Sequence, residues 1–107
     1  MKYHNEKTEV AGIKFDSKKE ADRYVVLKAL ENLGAIQNLR RQVRYKLTTG
    51  KRWSNGKKHR AVEYVADFVY ILDGEEIVED VKGFKTPVYK IKRELMKEKY
   101  DIEISEV

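Results

Sequence analysis

The dipeptide Asp73-Gly74 constrains this chain more than any other feature in it. It separates two β-patterned runs, residues 62–72 and 75–83. Asp-Gly in that setting is among the strongest short hairpin signals, because both central residues of a type I′ turn need φ > 0. A two-residue loop fixes the register, so that residue i pairs with residue 147 − i. Leu72 then faces Glu75, Val69 faces Val78, Asp67 faces Asp80 and Val65 faces Lys82. Side chains alternate along strands, which puts Asp67, Asp80 and Lys82 on one face. The Cβ atoms of directly opposed residues lie ~4.5–5.5 Å apart, so two carboxylates stand side by side with an ammonium two residues on. Glu79 adjoins Asp80, but alternation sends it to the other face, across from Phe68. Only a β-bulge between Val78 and Val81 would reverse that choice.

Two like charges directly opposite one another destabilise a sheet. The flanking residues Val65, Val69, Ile71, Val78 and Val81 are apolar enough for both strands to be central and partly buried. A hard divalent cation resolves the conflict, since Mg²⁺ takes one or two carboxylates together with waters and phosphate oxygens. Mg²⁺ (or Mn²⁺) is therefore the expected cofactor, with Asp67 and Asp80 as ligands. Lys82 beside it could hold and polarise a water near phosphorus and offset negative charge developing in a transition state. The alternative is a structural Asp–Lys pair at a strand end, with Asp67 solvated.

The remaining elements follow from local patterns. Residues 10–15 alternate apolar and small side chains around Gly12 and suggest one short strand. Ser17 can cap a helix, with Glu20 three residues on to complete a capping box. Ala21, Tyr24, Val25, Leu27, Leu30 and Leu33 supply its apolar face, and Gly34 follows as a C′ stop. Residues 35–49 suggest a long strand and 49–56 the turn at a mobile hairpin tip. Thr86-Pro87 starts a second helix, with Thr at N-cap and Pro at N1. That helix carries Val88, Ile91 and Leu95 on one side and ends near Tyr100, before a last short strand over 102–107. The order after the first strand is αβββαβ, an α/β class with a mixed sheet. At 107 residues the chain suits a single domain, 1–107, with one modest core. It has no cysteine, which excludes disulfides and thiolate metal sites. No apolar run approaches the ~18 residues of a membrane helix, and residues 1–10 hold no signal-peptide core, so a cytoplasmic location and no membrane partner are expected.

Charge is unevenly placed. Between Gly34 and Val62 there is no acidic residue, while Arg40, Arg41, Arg44, Lys46, Lys51, Arg52, Lys57, Lys58 and Arg60 supply nine positive charges. The rest of the chain is net negative, by 18 acids to 14 bases. A slightly acidic body with one basic arm points to a polyanion, and nucleic acid is the natural one; the alternative is a solvated loop kept soluble by its charge. These cations would contact phosphates and give salt-dependent, sequence-tolerant affinity. Trp53 at the tip could stack on a base or wedge into an opened junction, or pack over the hairpin's own stems. Tyr89 and Lys92, three apart on the second helix, face one way beside the site and are candidate substrate contacts, whereas Lys90, Arg93, Lys97 and Lys99 suggest an ordinary solvated surface. His4 and His59 show no ligand spacing.

Ala66-Asp67-Phe68, then Glu79-Asp80-Val81-Lys82-Gly83, then a helix, resembles the PD-(D/E)XK nuclease superfamily, whose core order is αβββαβ. Phe15-Asp16-Ser17-Lys18-Lys19-Glu20-Ala21 resembles the start of that superfamily's first helix, which donates a glutamate. Gln42 stands where related transposase-type and resolvase-like nucleases often carry a glutamine. Over nearly all of its length the chain is similar to a small phage-type group of Holliday-junction-resolvase-like endonucleases. The resemblance implies a restriction-endonuclease-like fold in which Asp67 and Asp80 bind Mg²⁺, with the Val81 carbonyl as a third protein ligand. Lys82 would be the catalytic lysine, and Glu20 would orient water or hold a second ion. Glu20 thus has two readings, helix cap or site acid. Ala66 stands where the name-giving proline would be.

The function this implies is a Mg²⁺-dependent DNA endonuclease hydrolysing phosphodiesters, structure-specific on branched DNA in the resolvase-like case. Symmetric cutting of two strands would need a two-fold homodimer. The alternatives are a catalytically inactive nucleic-acid-binding module of the same fold, and a docking subunit whose basic arm meets an acidic protein.

Overall fold

In the computed structural model, which describes residues 7–82 and 84–107 without the side chain of His59, the Asp73-Gly74 turn is formed as its chemistry requires. Both residues have positive φ, 50° and 79°. They join β6 (Glu63–Leu72) to β7 (Glu75–Asp80), and the pairing runs Leu72 to Glu75, Val69 to Val78 and Phe68 to Glu79, the register expected of a two-residue loop. His4 and Gly83, named above, lie outside the described residues.

Strand β6 is central. It pairs on its other side with β3 (Gln37–Lys46), again antiparallel, and β7 pairs in parallel with β8 (Ser105–Glu106). The result is a four-stranded mixed sheet ordered β3-β6-β7-β8. Helix α1 (Lys18–Asn32) is capped by Ser17, whose side chain accepts the Glu20 N–H at 3.1 Å. It ends in a Schellman motif, in which Ala35 N–H reaches the Leu30 carbonyl and Gly34 N–H the Glu31 carbonyl. Helix α2 (Pro87–Tyr100) starts at Thr86 as N-cap and stops at Asp101, which takes the left-handed conformation.

Adjacent residues of β6 point to opposite faces, and each face is covered by one helix. Phe68 and Tyr70 join Phe15, Ala21, Leu27 and Ile36 beneath α1, while Val69 joins Leu47, Tyr64, Ala66, Val78, Tyr89 and Met96 beneath α2.

Five sequence expectations need correction. Residues 8–15 form a small hairpin, not one strand: β1 (Thr8–Val10) and β2 (Ile13–Phe15) turn at Ala11 and Gly12, both with positive φ. The strand expected over 35–49 is shorter and bulged, because Asn38 adopts φ 56° and one extra residue of β3 is taken up between Gln37 and Arg40. On α1, Val25 and Leu33 are exposed, so its buried face is narrower than its apolar one. On α2 the apolar side is not the packed side: Val88 and Ile91 are 62% and 60% exposed, whereas Tyr89 is 5% and Met96 fully buried. That face carries Tyr89 and Met96 into the core beneath the sheet, and on it Glu106 of β8 accepts a hydrogen bond from Tyr89 and pairs with Arg93. The last strand is two residues long. At the far end of β3 and β6 the chain extends into a separate two-stranded ribbon, β4 (Lys51–Arg52) and β5 (Lys58–His59).

Candidate active site and nucleic-acid interface

Asp80 ends β7 on the α2 side and is almost fully buried. Its Oδ2 accepts a 2.6 Å hydrogen bond from the Tyr64 hydroxyl, and its Oδ1 lies 3.2 Å from Lys82 Nζ. Asp67, one step beyond the last paired residues of the hairpin, is half-buried and accepts the Val81 N–H at 2.8 Å. The two carboxyls are close enough to hydrogen-bond once one of them carries a proton. Loss of hydration and the charges of Asp80 and Glu20 push Asp67 up to about 7, against the pull of the Val81 N–H. The paired register ends at Phe68 and Glu79 and β7 stops at Asp80, so the expected Asp67–Asp80 and Val65–Lys82 strand pairs do not form. Asp67, Asp80 and Lys82 meet just beyond the ladder, through the Val81 N–H and the Lys82–Asp80 contact.

Glu20 joins them from the first turn of α1. It is buried, and among the described residues its carboxylate makes no bond back to the Ser17 backbone. It faces Gln42 Nε2 at 3.3 Å and Arg41 at 4.0 Å instead. Burial first, then the charge of Asp16, raises its affinity for a proton, while Arg41 opposes this. Gln42 Nε2 also reaches Asp67 Oδ1 at 3.4 Å, so one amide bridges the helix acid and the strand acid.

The backbone of Gln42 explains how this is possible. Its φ is 52°, a left-handed conformation that costs a residue with a Cβ about 1–2 kcal/mol. On one side of it, the cross-strand partners Arg41 and Phe68 pack toward α1, with the Arg41 guanidinium 4.4 Å from the Phe15 ring centre. On the other side, the next partners Val43 and Ala66 pack toward α2. Both strands exchange faces where Gln42 and Asp67 stand. Strict alternation does not foresee that exchange, and it is why Tyr64, three residues before Asp67, escapes the sequence reading although it bonds Asp80.

Glu79 falls on the opposite face, as alternation requires. It is buried against Arg23, which donates to both of its oxygens at 2.8 and 2.6 Å, and it accepts the Tyr70 hydroxyl. The Arg23 partner, 56 residues away, leaves no local signal.

Lys82 and Asp80 line an open cleft of about 270 Å³ with Tyr64, Val65, Thr86, Val88, Tyr89 and Lys92. Lys92 lies at its rim. Tyr89 is buried, with its hydroxyl bonded to Glu106 at 2.7 Å. Arg93, expected on a solvated surface, is held by the same Glu106 at 3.0 Å.

The arm divides in two. On β3, Arg40 pairs with Glu76 at 3.7 Å and Arg44 with Glu63 at 3.2 Å, so these charges are partly answered within the chain. Lys51, Arg52, Lys57, Lys58 and Arg60 are all exposed on the ribbon, and Trp53 at its tip is 59% exposed.

Fold and site together define a mixed α/β chain with an acid pair and a lysine at the end of its central hairpin. Residues 1–105 match the family described as "Protein of unknown function (DUF1064)", and the chain belongs to that family. No curated protein and no solved structure matches it.

The donor set is hard oxygen: two neighbouring carboxylates, Asp80 buried and Asp67 half-buried. Among the described residues no group of three or more His, Cys, Asp or Glu side chains forms a ready metal cage. No helix among the described residues is long and apolar enough to cross a membrane.

Proposed function

We propose that the protein is a Mg²⁺- or Mn²⁺-dependent endonuclease that hydrolyses DNA phosphodiesters, with a PD-(D/E)XK-type core. The observation that carries this reading is the Asp67–Asp80 pair, two carboxyls crowded at a strand end beside the ammonium of Lys82. Such crowding is unfavourable unless positive charge is shared between them. Asp67 and Asp80 would hold the cation, with the Val81 carbonyl as a third protein donor. When bound, it would supply Lewis acidity that makes water nucleophilic near neutral pH and screens the phosphate.

The chain's own groups do the rest. Lys82 places a cation over the cleft, where negative charge grows on the phosphoryl oxygens as water adds to phosphorus and the P–O3′ bond breaks. The leaving 3′ oxygen takes a proton from solvent. Gln42 and Glu20 fix Asp67 in place, and Glu20 offers an acceptor for an attacking water. The exposed cations of the ribbon would follow the backbone of the substrate, and Trp53 would stack on an unpaired base of branched DNA. Cutting both strands of a junction would require two such sites in a homodimer.

Purified protein with Mg²⁺ or Mn²⁺ is expected to cut at least one of single-stranded, duplex or four-way-junction DNA. Asp67→Asn and Lys82→Ala should abolish this. A wild type that cuts nothing, or variants that cut equally well, would end the enzyme reading. The inactive binding module has one observation in its favour: the Lys82 ammonium, 3.2 Å from Asp80, can itself answer that carboxylate's charge. It requires salt-dependent DNA binding that is indifferent to Mg²⁺ and to Asp80→Ala.

A further inference from the structure

Lys82 is held from two sides. Asp80 stands 3.2 Å away on one, and on the other its Nζ lies 4.3 Å from the centre of the Tyr89 ring. An ammonium over an aromatic face is attracted by the ring's quadrupole. The ring itself is fixed at its far end. Its hydroxyl donates to Glu106 Oε2 at 2.7 Å, and Glu106 is in turn held by Arg93 at 3.0 Å and Lys85 at 3.2 Å. Glu106 is also the direct neighbour of Asp80 in the parallel pairing of β7 with β8. The ring is thus tied to the strand pair that carries the acid.

We propose that Tyr89 and Glu106 are positioning residues for Lys82, and that the Tyr89 face becomes the main anchor of its ammonium when Asp80 is engaged elsewhere. This rests on the nuclease reading, in which Asp80 turns its charge to a divalent cation and so weakens its hold on Lys82. A lysine has a long, rotamer-rich stem, and without a second anchor it would lose its place over the cleft. Donation of the Tyr89 hydroxyl to a carboxylate makes the ring more electron-rich, which strengthens its pull on a cation. Neither residue touches substrate; both act through Lys82.

The test uses the full chain with isotopically labelled lysine and needs no cleavage for its first measurement. The Lys82 Cε protons should show an upfield ring-current shift in the wild type with and without Mg²⁺. Tyr89→Phe keeps the ring but loses its tie to Glu106 and should reduce that shift, whereas Tyr89→Leu should lose it. Glu106→Gln preserves the ring and its packing, and should reduce the shift, which covers the case in which the leucine variant does not fold. In cleavage, Tyr89→Leu should lower kcat about 3- to 30-fold with KM unchanged, and Tyr89→Phe by at most about threefold. Cleavage by Tyr89→Leu at the wild-type rate, or a Lys82 shift that survives loss of the ring, would overturn the proposal while leaving the nuclease reading intact. A wild type without cleavage removes the nuclease reading instead, and the NMR shift still decides whether the ring holds the lysine.

Discussion

Glu79 and Asp80 are neighbours on one strand, both buried, and they live in opposite electrostatic worlds. Glu79 faces α1, where Arg23 grips both of its oxygens and Tyr70 adds a third bond. Its charge is matched within the chain. Asp80 faces α2 beside Asp67, with Glu20 close enough to be felt by both carboxyls. Lys82 pairs with Asp80, and Arg41 reaches Glu20 only at 4.0 Å, so three acids share two cations. One carboxylate secures the attachment of a helix; the other belongs to a group that still attracts positive charge. The comparison teaches that burial alone does not mark a site. An unbalanced buried charge does.

Four substitutions probe that contrast, and the largest effect is expected on chemistry. Under the proposed nuclease reading, Asp80→Asn should lower Mg²⁺-dependent DNA cleavage about 100- to 1000-fold, the range typical of losing a group that stabilises transition-state charge. Glu79→Gln, one residue away, should stay within about threefold of wild type, both measured by initial rates on the same substrate. Stability should reverse the order. Glu79→Gln takes half of a buried ion pair and should cost about 2–3 kcal/mol in urea melts, less than a fully enclosed pair because Arg23 is partly exposed. Asp80→Asn keeps an acceptor for Tyr64 and should change stability by less than about 1 kcal/mol.

Asp67 tests the imbalance through pH. Its folded affinity for a proton is raised from the ordinary 3.8 to about 7, so between those values the folded chain holds a proton that the unfolded chain has released. Stability from this group is therefore fully present below about pH 4 and is lost as pH rises through about 7. Without metal, Asp67→Asn should gain about 1–2 kcal/mol at pH 8 and nothing at pH 4, discounted for partial exposure. Thermal melts at the two pH values read this, and calorimetric Mg²⁺ binding should tighten over the same interval as the cation displaces the proton. An equal effect of Asp67→Asn at both pH values would remove the crowding argument. The smallest effect is Gln42→Gly. Relief of the left-handed strain should offset most of the loss of its weak bridges, leaving a net change within about 1 kcal/mol while cleavage falls.

Much of this arrangement was legible in the sequence where local chemistry decides geometry. The Asp73-Gly74 turn set the register as far as Phe68 and Glu79, and the carboxylates meet one step beyond it. Ser17, Gly34 and Thr86-Pro87 marked helix ends because caps answer to adjacent backbone groups. Failure came where distant partners decide. Val88 and Ile91 supplied an apolar stripe, but α2 packs through Tyr89 and Met96, with Glu106 of β8 holding Tyr89 and Arg93. The exchange of faces at Gln42 follows from one backbone angle that a glutamine does not advertise. Tyr64 and Arg23 reach their carboxylates across the fold, and nothing in their own neighbourhoods announces it.

Strand β8 has a consequence for the order of assembly. Val107 N–H bonds the Asp80 carbonyl, the Val107 carbonyl accepts from Lys82 N–H, and Glu106 braces Tyr89. Glu20 and Glu106 bound a set of groups drawn from both ends of the chain, so its completion waits on the closure of long loops. Two paired residues are also the least costly part of a sheet to peel away. In native-state hydrogen exchange the Lys82 and Val107 amides should open well before those of β6, and each opening would release the Lys82 backbone and the brace on its aromatic partner together.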